Sequence, residues 1–199
     1  MRPETKALLL ALAVATGCGD PLVFAEVEEP RACITQAGQT FPGLTTLGVP
    51  PGTPQPLPVA LPFTLSHEDT FAIGKTILAV KSTGTSGTMK ALDFAMEAST
   101  NVDLSGITTA TVTVLPPDAG SALPEKAILA LTGASHPAAN KLVLSGSGVD
   151  IMPYVLSGNL RYRFDADGST QTLPEADWSS SLTLCLYLKV KIDVSQLAK

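Results

Sequence analysis

Alternating apolar and polar positions dominate the second half of the chain. The clearest run is SLTLCLYLKVKIDV, in which every second position is apolar: Leu182, Leu184, Leu186, Leu188, Val190, Ile192 and Val194. A period of two is typical of a β-strand that buries one face. Cys185 falls on the opposite face, so we expect its side chain to project away from the main core, where an N-terminal segment that carries Cys33 lies across it.

Shorter segments of similar character precede this run, at 63–66, 75–82, 107–115, 126–133, 141–146, 149–158 and 159–168. Ser-Gly and Asp-Gly pairs between them favour tight reversals of the chain. About eight short strands at this spacing predict a mainly β protein, a single antiparallel β-sandwich that is Ig-like or jelly-roll-like and covers residues 59–199.

One segment, TMKALDFAMEAS at 88–99, does not fit the strand pattern. It is rich in strong helix formers, and Met89, Leu92 and Met96 fall at helical spacing behind Thr88 as a helix cap. Leu92, Phe94 and Met96 also alternate. We expect one short helix at an end of the sandwich and keep a strand as the alternative.

Residues 18–58 are predicted to form a tether followed by a proline-rich extended segment. Residues 19–32 are acidic and lack strong periodicity, and seven prolines follow between 42 and 62. Proline excludes regular helix there, so we expect polyproline-like backbone on the surface or in an outer strand. A docking site for a proline-recognising partner is the alternative.

The first 17 residues have the organisation of a signal peptide. Arg2 and Lys6 supply a positive start, and residues 7–17 form an apolar region that is too short to cross a bilayer. The residues Ala15, Thr16, Gly17 and Cys18 then resemble the lipobox of bacterial lipoproteins.

This resemblance implies cleavage between Gly17 and Cys18, acylation of Cys18 and attachment to the membrane through the acyl chains. With its Pro- and Thr-rich strands, the chain looks like uncharacterised outer-membrane lipoproteins of Gram-negative bacteria. In enteric bacteria, an Asp directly after the acylated cysteine changes the membrane to which a lipoprotein is sorted. This position is Gly19 here, so we expect the outer membrane as the location. A soluble secreted protein is the alternative.

Three cysteines in an exported protein leave one unpaired unless one is modified. Acylation of Cys18 leaves Cys33 and Cys185, which can form a disulfide in an oxidising envelope. Two buried, reduced thiols are the alternative. The net charge of −5 argues against a nucleic-acid partner, because phosphate backbones need clustered Lys and Arg.

The segment RFDADGSTQTLPEADW, at 163–178, carries the candidate metal chemistry. Asp165, Asp167 and Ser169 match the opening of a calcium loop, with Asp177 as a further oxygen donor. The match ends there, because Ala176 stands where a bidentate Glu would be required. We favour a hairpin turn at Asp-Gly and keep a weak Ca²⁺ site as the alternative; no other cofactor is predicted.

Other candidate groups have plainer explanations. His67 lies in Ser-His-Glu-Asp at 66–69, where neighbouring side chains of an extended segment point to opposite faces and cannot form a catalytic relay, so we favour turn polarity. His136 lies in Ala-Ser-His-Pro-Ala at 134–138. Four aromatic residues could form a sugar-binding platform, but packing in the core or at its rim is favoured: Tyr154, Tyr162, Tyr187 and Trp178.

These observations favour a noncatalytic envelope lipoprotein whose sandwich presents a surface to another envelope protein. A module for glycan- or calcium-dependent adhesion is the second hypothesis. A hydrolase that uses His67 or His136 is the third.

Overall fold

The computed structural model describes residues 24–73, 87–131, 136–146, 148–155 and 158–193. The signal segment, Cys18 and the strand predicted at 75–82 lie outside these ranges. Within them, no helix combines the length and the apolar character needed to cross a bilayer.

The described chain forms eight antiparallel strands and one 3₁₀ turn. Their bounds are β1 Phe24–Phe41, β2 Leu61–Ala72, β3 Gly87–Ala98, β4 Ile107–Val114, β5 Lys126–Ala130, β6 Lys141–Gly146, the 3₁₀ turn Met152–Tyr154, β7 Asn159–Thr170 and β8 Trp178–Asp193. The segment 149–158, predicted as a strand, contains the 3₁₀ turn instead.

The strands follow the order β1-β8-β3-β6-β5-β4-β7-β2 in one curled sheet. The link between β5 and β6 is short, with two paired positions, and the sheet folds over there into two layers. The layers β1-β8-β3-β6 and β5-β4-β7-β2 have the strand order of a jelly roll. The predicted antiparallel sandwich of about eight strands is therefore confirmed, in its jelly-roll form.

The core lies between the two layers. From β8, Leu182, Leu184 and Leu186 are almost fully buried, as the alternating pattern predicted. From β3 and β7, the rings of Phe94 and Phe164 stack with their centroids 5.5 Å apart. The apolar faces of the two layers thus meet directly, and the polar faces point outward.

The predicted helix at 88–99 is wrong, because this segment is the central strand β3. Met89 and Ala91 are buried, and then a register shift between Ala91 and Asp93 places the next buried residue at Phe94. Such a bulge inserts one residue into a period of two and makes a local spacing of three. That spacing mimics the period of a helix.

The predicted tether is also wrong in part. Residues 24–41 form β1, which pairs with β8 along its length, so the sandwich begins well before residue 59. Its sequence did not predict a strand because its outer edge is exposed and carries Glu28, Pro30 and Arg31. Edge strands commonly carry charges and proline, which discourage pairing with other chains.

Candidate functional site

The predicted calcium segment does not form a loop. Asp165, Asp167 and Ser169 lie within β7, so the favoured hairpin turn is wrong as well. The two carboxylates point to the outer face of their layer. Asp165 accepts a hydrogen bond from Ser66 (2.7 Å), and Asp167 accepts one from Thr64 (2.7 Å).

An arginine occupies the same face. Arg163 donates to Asp165 (2.9 Å) and to Glu125 (2.9 Å), and these contacts hold the pKa of its guanidinium above the ordinary value, with Glu125 contributing most. The face therefore consists of carboxylates already bound to hydroxyl groups and to a cation.

Asp177 lies apart from this face, in the turn before β8. It accepts hydrogen bonds from the hydroxyl of Thr46 (2.6 Å) and the backbone N–H of Gly43 (2.9 Å), which lower its pKa in that order of importance. Among the residues that the structure describes, no three His, Cys, Asp or Glu side chains come together in a way that could hold a metal ion. The structure does not bring the four proposed calcium ligands together.

Gly168 has a packing role in place of the expected turn. A Cβ atom there would lie 2.3 Å from the carbonyl oxygen of Gly106, closer than real atoms approach. The backbone of β7 thus passes directly against the residue before β4, and glycine is required by that close approach.

The aromatic residues do not form a sugar-binding platform. Tyr154, Tyr162 and Trp178 are buried, as the packing explanation predicted. The Trp178 ring stacks on Phe41 at 5.0 Å, and its indole N–H donates to the carbonyl of Pro42 (3.0 Å). Burial raises the pKa of Tyr162, with the charge of Asp69 adding a smaller effect. Tyr187 is half-buried and donates to Glu28 (3.0 Å).

The two histidines are placed separately. His67 lies in the middle of β2, so turn polarity is the wrong explanation, but its side chain does point to the face opposite those of Ser66 and Glu68, as expected. Its ring is 5.3 Å from that of Phe41 on the inner side, while Ser66 bonds to Asp165 on the outer side. The Nε2 atom of His136 lies 3.0 Å from the carbonyl oxygen of Ile107.

The predicted disulfide joins Cys33 and Cys185, which face each other directly across β1 and β8. Cys185 is buried on the outer face of the layer, as its position in the alternating pattern predicted. However, β1 lies beside β8 in the sheet and does not cross over it. The pair therefore clamps an edge strand to its neighbour.

A shallow concavity of about 520 Å³ lies on the same outer face. Its charged residues are already paired, since Arg31 bonds to Asp93 (2.8 Å) and Lys141 to Glu97 (2.9 Å). Between these pairs the floor is formed by small and apolar side chains, among them Ala95 and Val143.

Four loops meet at one end of the sandwich, which we call the loop end: 42–60, 99–106, 136–140 and 171–177. The pairings Phe41 with Trp178, Ala98 with Ser180 and Glu97 with Lys141 bring the ends of their strands to one level. The first and last loops are joined by backbone hydrogen bonds, from Leu44 to Pro174 (2.8 Å) and from Leu57 to Gln171 (2.9 Å).

The proline-rich segment 42–60 is thus an irregular loop, and the predicted polyproline-like run is wrong. It turns because two of its leucines insert into the core: Leu44 is 1% exposed and Leu57 is 7% exposed. Between these anchors, the side chain of Gln55 donates to the carbonyl of Leu173 (3.0 Å). Burial and hydrogen bonds together fix the loop against its neighbour.

The loop end is poor in charge. Residues 42–60 contain no Asp, Glu, Lys or Arg, although 16% of the whole chain is charged. The other three loops, as far as they are described, carry Asp103, Glu175 and Asp177. Each of these carboxylates accepts a hydrogen bond from a backbone N–H, at Ser105, Gly52 and Gly43 respectively. Their charge serves the structure of the loops.

Comparison with known proteins gives no relatives by sequence. No family model matches the chain, and no curated protein matches it. Among solved structures, one of Desmodium yellow mottle tymovirus is similar over 94% of both chains, with 10% identity and a TM-score of 0.30. The infectious bursal disease virus VP2 subviral particle matches 96% of this chain and 46% of its own, with 14% identity and a TM-score of 0.31. The jelly-roll fold follows from the strand order of the two layers.

The loop end was not predicted as a site from the sequence. Its signal is the uncharged stretch from 42 to 60, of which only the prolines entered the prediction. Three other loops join it at the same end because of the order of the strands. Local sequence patterns do not specify that order.

Proposed function

We propose that this chain is a noncatalytic lipoprotein of the Gram-negative cell envelope. It is held in the outer membrane through acylated Cys18, and it binds another envelope protein through the loop end. The lipobox-like residues before Cys18 support the anchor, and two or more acyl chains suffice for stable attachment.

The position of the loop end along β1 carries the proposal for binding. Cys18 precedes Phe24 by six residues, which span roughly 20 Å at most. The loop end begins after Phe41, at the other end of β1, about 55 Å further along the strand. A sandwich anchored through Cys18 therefore directs its loop end away from the anchor.

The composition of the loop end supports a protein as its partner. Charged side chains are depleted in the buried centres of protein interfaces, and the loop end has this character. Its loops are also held by internal hydrogen bonds, so little conformational entropy is lost when a partner binds.

The anchor is tested by expressing the full chain with its leader in a Gram-negative host and measuring the intact mass of the membrane-extracted product. We expect a chain that begins at Cys18 and carries acyl groups, and a Cys18→Ser variant that is not acylated. An unmodified thiol or a retained leader refutes the proposal.

Binding is tested by placing the photoreactive residue benzoylphenylalanine at Thr100 in the loop end, with Thr109 on the outer face of β4 as the matched control. Both side chains are exposed. We expect a protein adduct from position 100 that is absent at position 109. Equal adducts at both positions, or none at position 100, refute the loop end as the binding surface.

A further inference from the structure

The rim of the loop end, residues 50–60, has few free hydrogen-bond donors. Five exposed prolines lack a backbone N–H: Pro50, Pro51, Pro54, Pro56 and Pro58. Several of the remaining donors are used inside the protein. The N–H groups of Gly52, Thr53 and Leu57 bond to Glu175, Pro50 and Gln171. The rim therefore presents proline rings and carbonyl acceptors.

Val59 extends from this rim with 76% of its surface exposed, and it is the exposed large hydrophobic residue of the described chain. It stands two positions after the buried anchor Leu57, whose backbone bonds to Gln171 on both sides, through its N–H (2.9 Å) and its carbonyl (3.1 Å). Val59 is thus held outward by a fixed stretch of backbone.

The complement of such a surface is aromatic. Tyr and Trp rings pack against proline and valine, and their O–H and N–H groups donate to backbone carbonyls. On the rim, the carbonyls of Pro50 and Leu57 already accept hydrogen bonds from Thr53 and Gln171, so the acceptors for a partner are the other rim carbonyls. Residues 42–60 themselves carry no charge, and the carboxylate of Glu175 beside the rim already accepts a hydrogen bond from Gly52 (2.9 Å).

A second copy of this chain does not provide that complement. Trp178 is buried, as are two of the three tyrosines, Tyr154 and Tyr162. The third, Tyr187, is half-buried and already donates to Glu28. Since the Tyr and Trp side chains of this chain are buried or already bonded, the complementary Tyr or Trp side chains belong to a different protein.

We infer that the rim at residues 50–60 docks onto a different envelope protein that presents Tyr or Trp side chains, with Val59 at the centre of the contact. This inference rests on the proposed function and adds the chemistry of the partner.

The experiment uses the full-length lipoprotein with benzoylphenylalanine in place of Val59 and maps the adduct to a peptide by mass spectrometry. Position 109 again serves as the control. We expect a peptide from a different protein that contains Tyr or Trp at or next to the attachment site. An adduct with a second copy, or a peptide without an aromatic residue, overturns the inference.

Two variants add a quantitative measurement of partner recovery. Val59→Lys places a charge at the centre of an uncharged contact, and we expect about a tenfold loss of co-purified partner. Val59→Thr keeps the shape and is expected to lose less. Thermal melting must stay near that of the native protein for both, since Val59 is exposed. Unchanged recovery with Val59→Lys overturns the inference.

The outcomes separate the two proposals. Acylation of Cys18 with adducts through position 100 but not through position 59 refutes the inference and leaves the proposed function standing. Absence of acylation, or of any adduct from the loop end, refutes the proposed function itself.

Discussion

Loss of the Cys33–Cys185 disulfide is expected to lower the stability of the sandwich substantially. The two residues are 152 positions apart in sequence, and the loop-entropy treatment gives an upper value of about 5 kcal/mol for a loop of that length. Native disulfides commonly contribute somewhat less, so we expect a loss of about 3–5 kcal/mol. For a domain of this size, that corresponds to a fall in melting temperature of roughly 6–20 °C.

Thermal unfolding followed by circular dichroism measures this loss for Cys33→Ala, Cys185→Ala and the double variant. Because one bond is removed in each case, Cys185→Ala and the double variant should lose nearly the same amount, and Cys33→Ala slightly less. Cys33 is exposed, so its truncation leaves no cavity, whereas Cys185→Ala also loses packing at a site only 3% exposed.

The adjacent cross-strand pair provides a matched control. Thr35 and Thr183 share a hydroxyl–hydroxyl hydrogen bond of 2.9 Å between the same two strands. Removal of either hydroxyl should cost no more than about 1 kcal/mol, because the bond is exposed. Additive losses for the two cysteine variants, or a melting temperature that does not change when the disulfide is reduced, would refute the reasoning.

Three further outcomes are expected. Gly168→Ala should lower the free energy of unfolding by more than about 2 kcal/mol in chemical denaturation, because its Cβ would lie 2.3 Å from the carbonyl oxygen of Gly106. The control Gly120→Ala should be nearly neutral, because the nearest atom to its Cβ is a side-chain atom at 3.5 Å. Equal losses of stability for the two variants contradict this. The pKa of Asp177 is lowered in the folded protein, so its contribution to stability is complete above the unfolded pKa of about 3.9 and is lost as the pH falls through the folded pKa. Asp177→Asn should therefore have a lower melting temperature than the native protein at pH 7, and this difference should disappear in acid. A difference in melting temperature that does not depend on pH contradicts the prediction. Arg163→Gln should cost about 1 kcal/mol at low salt and less at high salt, since its ion pairs are partly exposed; a loss that salt does not change would place its role in packing.

The strongest patterns in the sequence predicted the fold where each strand is regular. β8 has unbroken alternation, and Leu182, Leu184 and Leu186 are buried as expected. The order in which strands pair could not be obtained in this way, because it depends on contacts between residues far apart in the chain. The jelly-roll order therefore emerged only with the structure.

The prediction failed where the backbone departs from regular geometry. In β3, the bulge between Ala91 and Asp93 turned an alternating pattern into an apparently helical one. In β7, Asp-Gly suggested a turn, but Gly168 is explained by its close contact with Gly106. The sequences at the bulge and at Gly168 both indicated an unusual local backbone. Tertiary contacts determined which structure that backbone adopts.

The clamp between Cys33 and Cys185 determines how the domain responds to mechanical load. Force that enters the chain ahead of Phe24 pulls β1 from β8 beginning at the pairing of Phe24 with Asp193, one rung after another. Peeling reaches the covalent link at Cys33 and stops there, before Ile34 and Phe41 can leave the core. The force then passes through the disulfide to β8, which lies between β1 and β3 in its layer. The edge strand β1 therefore resists pulling as an interior strand would.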